Sequence, residues 1–353
     1  MKRFALPLLL LVLALSSIAA GQASHSFTVG DLLKVRRVSN PQISPKGDMI
    51  AYTIGDVDRN ANKIVTQIYV VPVGGGEARQ LTNAPQSSTS PRWSPDGSRL
   101  AFISAREGEA QIWTIDVSSG ELKKITNIST GAADPLWSRD GRWLAFTSEV
   151  YPECQTDACN KQRADDAAQS KVKARLIDNL LYRHWNAWQE GKRTHIFVVS
   201  ADGGEARDLT PGEVDAPPIQ GDASDFSFSP ESDELAFAMN SEKMLATSTN
   251  GDIFLVSVRG GRPKPITKSN LADDGYPVYS PDNRYIAYHA QVRPGYEADR
   301  WRLMLYDRRT NRTRALTENV DMSVSSIIFS PDSRKIYFTA LERGRQPVYS
   351  ISV

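Results

Sequence analysis

Short apolar runs of four or five residues recur along the chain, each set just after a polar turn. Leu100-Ala101-Phe102-Ile103, Trp143-Leu144-Ala145-Phe146 and Tyr285-Ile286-Ala287-Tyr288 are examples. Their length and their aromatic and branched content predict buried strands. The turn ahead of them is nearly the same each time: Ser44-Pro45-Lys46-Gly47, Ser94-Pro95-Asp96-Gly97, Ser138-Arg139-Asp140-Gly141, Ser229-Pro230-Glu231-Ser232, Ser280-Pro281-Asp282-Asn283 and Ser330-Pro331-Asp332-Ser333. Proline presets φ at the first central position, Asp accepts local backbone N–H groups, and Gly or Asn tolerates the positive φ that follows.

A second apolar run comes next in five of the repeats, as in Ile68-Tyr69-Val70-Val71, Ile112-Trp113-Thr114-Ile115 and Ile253-Phe254-Leu255-Val256. A hairpin turn such as Gly74-Gly75-Gly76, Gly203-Gly204 or Gly260-Gly261 follows. Each repeat then closes on Leu81-Thr82, Ile125-Thr126, Leu209-Thr210, Ile266-Thr267 or Leu316-Thr317, read here as a last strand. One repeat of roughly 45–50 residues is one four-stranded blade, and a lone blade cannot cover both of its faces. The fold class is therefore all-β, a β-propeller of six recognisable four-stranded blades over 44–353. The sixth is incomplete: Val348-Tyr349-Ser350-Ile351-Ser352-Val353 matches the third strand, and no glycine turn or Leu-Thr pair follows it. An open edge of this kind is one that natural sheets avoid. Either residues upstream of Ser44 fill it, or the chain is the front part of a longer protein.

The third repeat is interrupted at about 149–194. Gln162 to Leu181 has high helix propensity, with Ala168, Val172, Leu176 and Leu180 spaced at fours, which predicts a helical insertion. It ends in Leu181-Tyr182-Arg183-His184-Trp185-Asn186-Ala187-Trp188. Tyr182, Arg183, His184, Trp185 and Trp188 are candidates for lining a substrate path or docking another domain; the competing reading is a packing anchor for the insertion.

Composition adds an address. Of 353 residues, 40% are hydrophobic and 24% charged, with a net charge of +1, so a sizeable core is available and nothing favours nucleic acid. Lys2 and Arg3 precede an apolar run from Phe4 to Leu15 and small residues at Ser17, Ala19, Ala20 and Gly21. Residues 1–21 read as a signal peptide, which implies an exported protein, periplasmic or secreted, with no membrane anchor once the signal is removed. Residues 22–43 read as a leading helix and linker. In an oxidising compartment Cys154 and Cys159 can close a local disulfide; two free thiols, or a metal site needing further ligands, are the alternatives.

The search for chemistry ends without a site. No G-x-S-x-G nucleophile elbow occurs, and none of His25, His184, His195 and His289 has a nucleophile suggested beside it. Asp56, Asp58, Asn60 and Asn62 alternate as in a calcium loop, yet Ala61 and Gln67 stand where glycine and a bidentate glutamate are required. A solvated hairpin loop is the better reading. No catalytic, cofactor-binding or metal residue is predicted, and no cofactor.

Three stretches carry a resemblance. They are Phe27-Thr28-Val29-Gly30-Asp31-Leu32-Leu33 running on to Ser44-Pro45, the insertion ending Leu181 to Trp188 with Gly191-Lys192-Arg193-Thr194-His195-Ile196-Phe197 behind it, and Asp208-Leu209-Thr210-Pro211-Gly212-Glu213-Val214-Asp215. The chain resembles the propeller domain of exported bacterial serine peptidases of the prolyl oligopeptidase family, in the dipeptidyl-peptidase and acylaminoacyl-peptidase branch. The turn repeats alone also resemble the propeller of periplasmic TolB. The resemblance implies seven blades in an intact member, a C-terminal α/β-hydrolase domain carrying the triad, and a propeller that restricts access to small peptides. No triad residue of that family can be placed on this sequence, and the hydrolase domain is absent from it. The expectation is a non-catalytic, substrate-gating propeller from a truncated or fragmentary chain, inactive alone, whose partner is a peptide substrate or a hydrolase domain. The alternative is a free-standing TolB-like propeller that binds a protein or peptide.

Overall fold

The computed structural model describes residues 25–178, 180–218 and 225–353. The signal-peptide reading over 1–21 lies outside these residues. Among them the chain forms five four-stranded antiparallel sheets and a last sheet of three, each a simple meander in chain order. The first is Arg37–Ile43, Met49–Asp58, Lys63–Pro72 and Arg79–Gln80; the last is Val324–Phe329, Lys335–Ala340 and Val348–Ser352. This is the predicted six-bladed array, with its sixth blade lacking a fourth strand. The chain from residue 37 belongs to the first blade, so the linker expected to extend to residue 43 stops short of it: only α1 (Val29–Lys34), held by a Thr28/Asp31 capping box, precedes the strand. Asn40-Pro41 breaks the alternation there and hides a bulged strand from a pattern reading.

The first strands lie innermost, each packing on the first strand of a neighbouring blade. Trp93 Nε1 donates to the Gln42 carbonyl and Trp137 Nε1 to the Arg92 carbonyl. Apolar clusters fill each seam, one joining Ile68 and Val70 to Leu100 and Phe102, another joining Ile196 and Val198 to Phe226 and Phe237. The second strand of a central blade is thus buried on both faces, as in Glu234–Asn240. The two end blades differ. Val38 and Ile43 on the first, and Ile328, Tyr337 and Val348 on the last, are exposed.

The recurring turn owes its shape to one serine hydroxyl. Ser94 Oγ donates to Asp96 Oδ1 at 2.6 Å and accepts the Arg99 N–H at 2.9 Å, while Asp96 Oδ1 also takes the Ser98 N–H. The same bonds close the turns at Ser138, Ser280 and Ser330. Where the third residue is not Asp, the carboxylate comes from the fifth, Asp48 or Asp233. The fourth residue has φ near +60 to +70° in all six turns, from Gly97 at +73° to Asn283 at +58°.

The Leu-Thr pairs are not a strand. The outer strand ends just before them, at Gln80 in the first blade, and the buried threonine finishes the ladder. Thr82, Thr126, Thr210, Thr267 and Thr317 each accept, through Oγ1, an N–H of the third strand, from Ile68, Ile112, Ile196, Ile253 and Leu303 in turn, at 2.8–2.9 Å.

Candidate functional site

In a meander the connections between strands one and two leave one end of the blade and those between two and three leave the other. All six serine turns therefore share one face of the ring, and they touch: Gly97 lies against Pro45, Gly141 against Pro95, and the Asp140 and Asp282 N–H groups donate to Ser232 and Ser333. The opposite face carries the loops 59–62, 105–110, 151–192, 241–250, 291–301 and 341–347, no two alike. Exposed large apolar side chains gather on it, with Met244, Leu271, Val292, Tyr296 and Leu341 standing on blades four to six. The Asp56 to Asn62 stretch falls here as a hairpin loop, in which Asp58 caps the Asn60 and Ala61 N–H groups.

The third-blade insertion leaves at Val150 and returns at Arg193, two residues paired directly across the sheet. Its base is tied down in three ways. Cys154 and Cys159 form a disulfide, buried Asn160 Oδ1 accepts the Tyr151 N–H, and Asp157 Oδ1 accepts from Ser129 N–H and Oγ. A cavity of about 220 Å³ lies under this base, lined by Val150, Asn160, Phe197 and Asp208 among others. Helix α2 (Asp157–Gln169), capped by Thr156, starts and ends earlier than the helix expected over 162–181. The stripe Val172, Leu176 and Leu180 is exposed, so no packing holds that stretch helical.

Beyond it, Arg183–His184 pairs with Ala187–Trp188 in a two-residue hairpin whose tip is Trp185-Asn186, Trp185 having φ +46°. Tyr182 stacks on Trp188, the Arg175 guanidinium sits 4.4 Å from the Trp188 ring centroid, and Arg175 binds Glu190 at 2.5 Å. His184 meets Trp185 edge-on. The structure thus gathers all five sequence candidates into one hairpin. Tyr182, Arg183, Trp185 and Trp188 are exposed and His184 is half-buried.

Two of the four histidines, His195 and His289, are buried. Buried His195 bridges Asp208 Oδ2 at 2.7 Å and the Gly212 carbonyl at 2.9 Å; His25 lies 3.6 Å from Asp31. Burial pushes His289 down to about 4, packed against Tyr276 and Trp301. Among the described residues no cluster of three or more His, Cys, Asp or Glu is arranged to hold a metal ion.

Two features escaped pattern reading. Positive φ at Asn40, Ser90, Asp134, Tyr276 and Ser326 marks an irregularity in five innermost strands, and four of these residues precede proline. The X-Pro dipeptides were the available signal. The second is a set of buried acids at the loop-face end of the seam between blades four and five. Burial, with a neighbouring carboxylate adding to it, raises Asp274 to about 8 and Asp273 to about 6, and burial raises Asp252. Asp274 Oδ1 accepts from Asn270 Nδ2, while Oδ2 has no hydrogen-bond partner and borders a polar cavity of about 240 Å³ with Tyr288 and Arg302. Asp273 and Asp274 are neighbours in sequence, but only tertiary contact brings Asp252 to them and buries the set, so nothing local announced their shifts.

A sequence profile described as the TolB beta propeller domain matches residues 30–219. Dipeptidyl-peptidase 5 of Porphyromonas gingivalis is 31% identical over 347 residues, covering 96% of this chain and 50% of that protein. The same-named protein of Porphyromonas endodontalis is 32% identical, over 86% of this chain and 46% of its own length. The chain spans about half the length of the curated relatives it matches. Acylaminoacyl peptidase of Pyrococcus horikoshii shares the fold, with TM-score 0.64 at 18% identity over 90% of this chain and 45% of that one. So does the propeller of the Trilobed protease from Pyrococcus furiosus, with TM-score 0.59 at 19% identity over 90% and 83%. With a profile match over more than half its length and six meander blades to bear it, the chain belongs to the TolB-type β-propeller domain family; it is related to dipeptidyl-peptidase 5 proteins and shares its fold with acylaminoacyl peptidase.

Proposed function

We propose that this propeller is the non-catalytic, substrate-gating part of an exported serine peptidase of the dipeptidyl-peptidase or acylaminoacyl-peptidase kind. Its loop face covers an α/β-hydrolase domain and admits short peptides, and residues 1–21 direct export. The observation that carries this reading is the asymmetry of the ring: exposed Met244, Val292, Tyr296 and Leu341 crowd the face with irregular loops, while the turn face is closed by its own hydrogen bonds. A cover of this sort contributes by excluding water and folded proteins from the chemistry beneath it. The stem of the hairpin, Tyr182, Arg183 and Trp188, stands at the rim of the path.

On this reading residues 25–353 alone hydrolyse no aminoacyl or dipeptidyl chromogenic substrate and take no fluorophosphonate label, whereas a chain extended by a hydrolase domain does both. In that longer chain, Tyr296→Asp with Leu341→Asp loosens the cover and raises cleavage of long peptides relative to dipeptides. Stoichiometric labelling of a serine within 25–353 would overturn the proposal. The profile match also favours a second reading, a free-standing TolB-like propeller binding a protein or peptide. It gains if adding the hydrolase domain leaves all activity absent.

A further inference from the structure

The insertion carries a surface of which gating uses only the hairpin stem. From Lys171 to Trp188 there are four cations, Lys171, Lys173, Arg175 and Arg183, against Asp178, with Arg175 paired to Glu190. Apolar side chains alternate with them and stand clear of the protein: Leu176 is 99% and Trp185 83% exposed, and Val172 and Leu180 are largely so. A pocket wall would be partly covered. These residues project instead, with Trp185 at the tip of a hairpin whose stem is fixed by the Tyr182–Trp188 stack and the Arg175–Glu190 pair.

We propose that this segment, Lys171 to Trp188, is a peripheral docking element for an anionic lipid surface. Three properties favour lipid over a protein groove. The element is convex, so its partner must be flat or deformable. Its charge is complementary to acidic headgroups, and a tip tryptophan beside Arg183 matches the depth at which indole rings rest in a bilayer interface. Val172, Leu176 and Leu180 also fall on one side of a helix, flanked by Lys173 on one edge and by Lys171 and Arg175 on the other. Among the described residues nothing covers that stripe, and residues 171–178 are not helical. An interface supplies the missing cover, so docking extends α2 toward the hairpin.

The test is sedimentation of the whole chain with vesicles of pure phosphatidylcholine and of phosphatidylcholine mixed with phosphatidylglycerol. Binding is expected only to the second, falling steeply with added salt and accompanied by a gain of helical far-ultraviolet signal. Trp185→Ala weakens it severalfold and Lys171→Glu with Lys173→Glu at least tenfold, while all variants melt as the parent does because these side chains are exposed. No binding to phosphatidylglycerol vesicles at low salt would overturn the proposal. So would binding that both variants retain. A hairpin that instead captures an acidic protein gives the first of these results.

Discussion

The two faces of the ring are built on opposite principles. On the turn face every connection between strands one and two has five residues, from 44–48 in the first blade to 330–334 in the last. Each is closed by the same serine and carboxylate, and neighbouring turns touch. On the loop face the connections run from 59–62 to 151–192, with apolar side chains in water and uncompensated acids in a seam. A face whose hydrogen bonds are satisfied internally cannot vary without loss, and one that leaves them to solvent or a partner can. Satisfied hydrogen bonds are concentrated on the first, and variable loops with exposed apolar side chains on the second.

The largest effect that would break this comparison is thermodynamic. Ser138→Ala removes a fully buried hydroxyl that accepts the Trp143 N–H and holds Asp140, so about 1–3 kcal/mol of stability should be lost in urea unfolding. Thr210→Val, which strands the Ile196 N–H, should cost a similar amount. Replacing residues 171–190 with a short glycine-serine link should leave the midpoint unchanged, since Val150 and Arg193 already pair across the base. Equal losses from both kinds of change would erase the distinction.

Gly141→Ala probes the turns more gently. At φ +72° an L-residue is strained by about 1–2 kcal/mol, and the same exchange at Gly30 in α1, outside the positive-φ region, should cost nothing measurable.

pH should separate the faces by sign. Asp48, Asp96, Asp140, Asp282 and Asp332 are held low by their serine and backbone partners, Asp96 at about 2, so the folded state binds fewer protons there than the unfolded chain. Their contribution is present above about pH 4 and fades as pH falls toward 2. Asp273 and Asp274 are raised, so the folded state binds more protons and stability falls as pH climbs from about 4 through 6 and 8. Thermal melts across that range should decline on the alkaline side, and Asp274→Asn should flatten the decline. Asp96→Asn should leave it in place.

The smallest effect is expected at the disulfide. Cys154 and Cys159 enclose a short loop, so Cys154→Ser with Cys159→Ser should leave ring unfolding almost unchanged while speeding tryptic cleavage within α2. A large drop in the ring's midpoint would mean that the insertion supports the blades after all.

How much of this was legible is clearest residue by residue. The serine turns, the buried second strands and the missing strand of the sixth blade all follow from local chemistry, because a turn within five residues depends on little else. The same logic erred where local preference met an empty environment: helix propensity over 162–181 was real, yet Val172, Leu176 and Leu180 found nothing to pack on. It erred again at Leu81-Thr82 and its equivalents, whose period marked a ladder end instead of a strand. The hairpin's five residues were picked from composition, but their exposure was a tertiary fact. Asp252, Asp273 and Asp274 could not have been singled out from sequence, since their shifts come from burial in a seam between two blades. What the sequence determined was the repeating unit, because its bonds lie within one turn of chain. What only the tertiary structure decided was which faces are covered, because burial depends on the neighbouring blade.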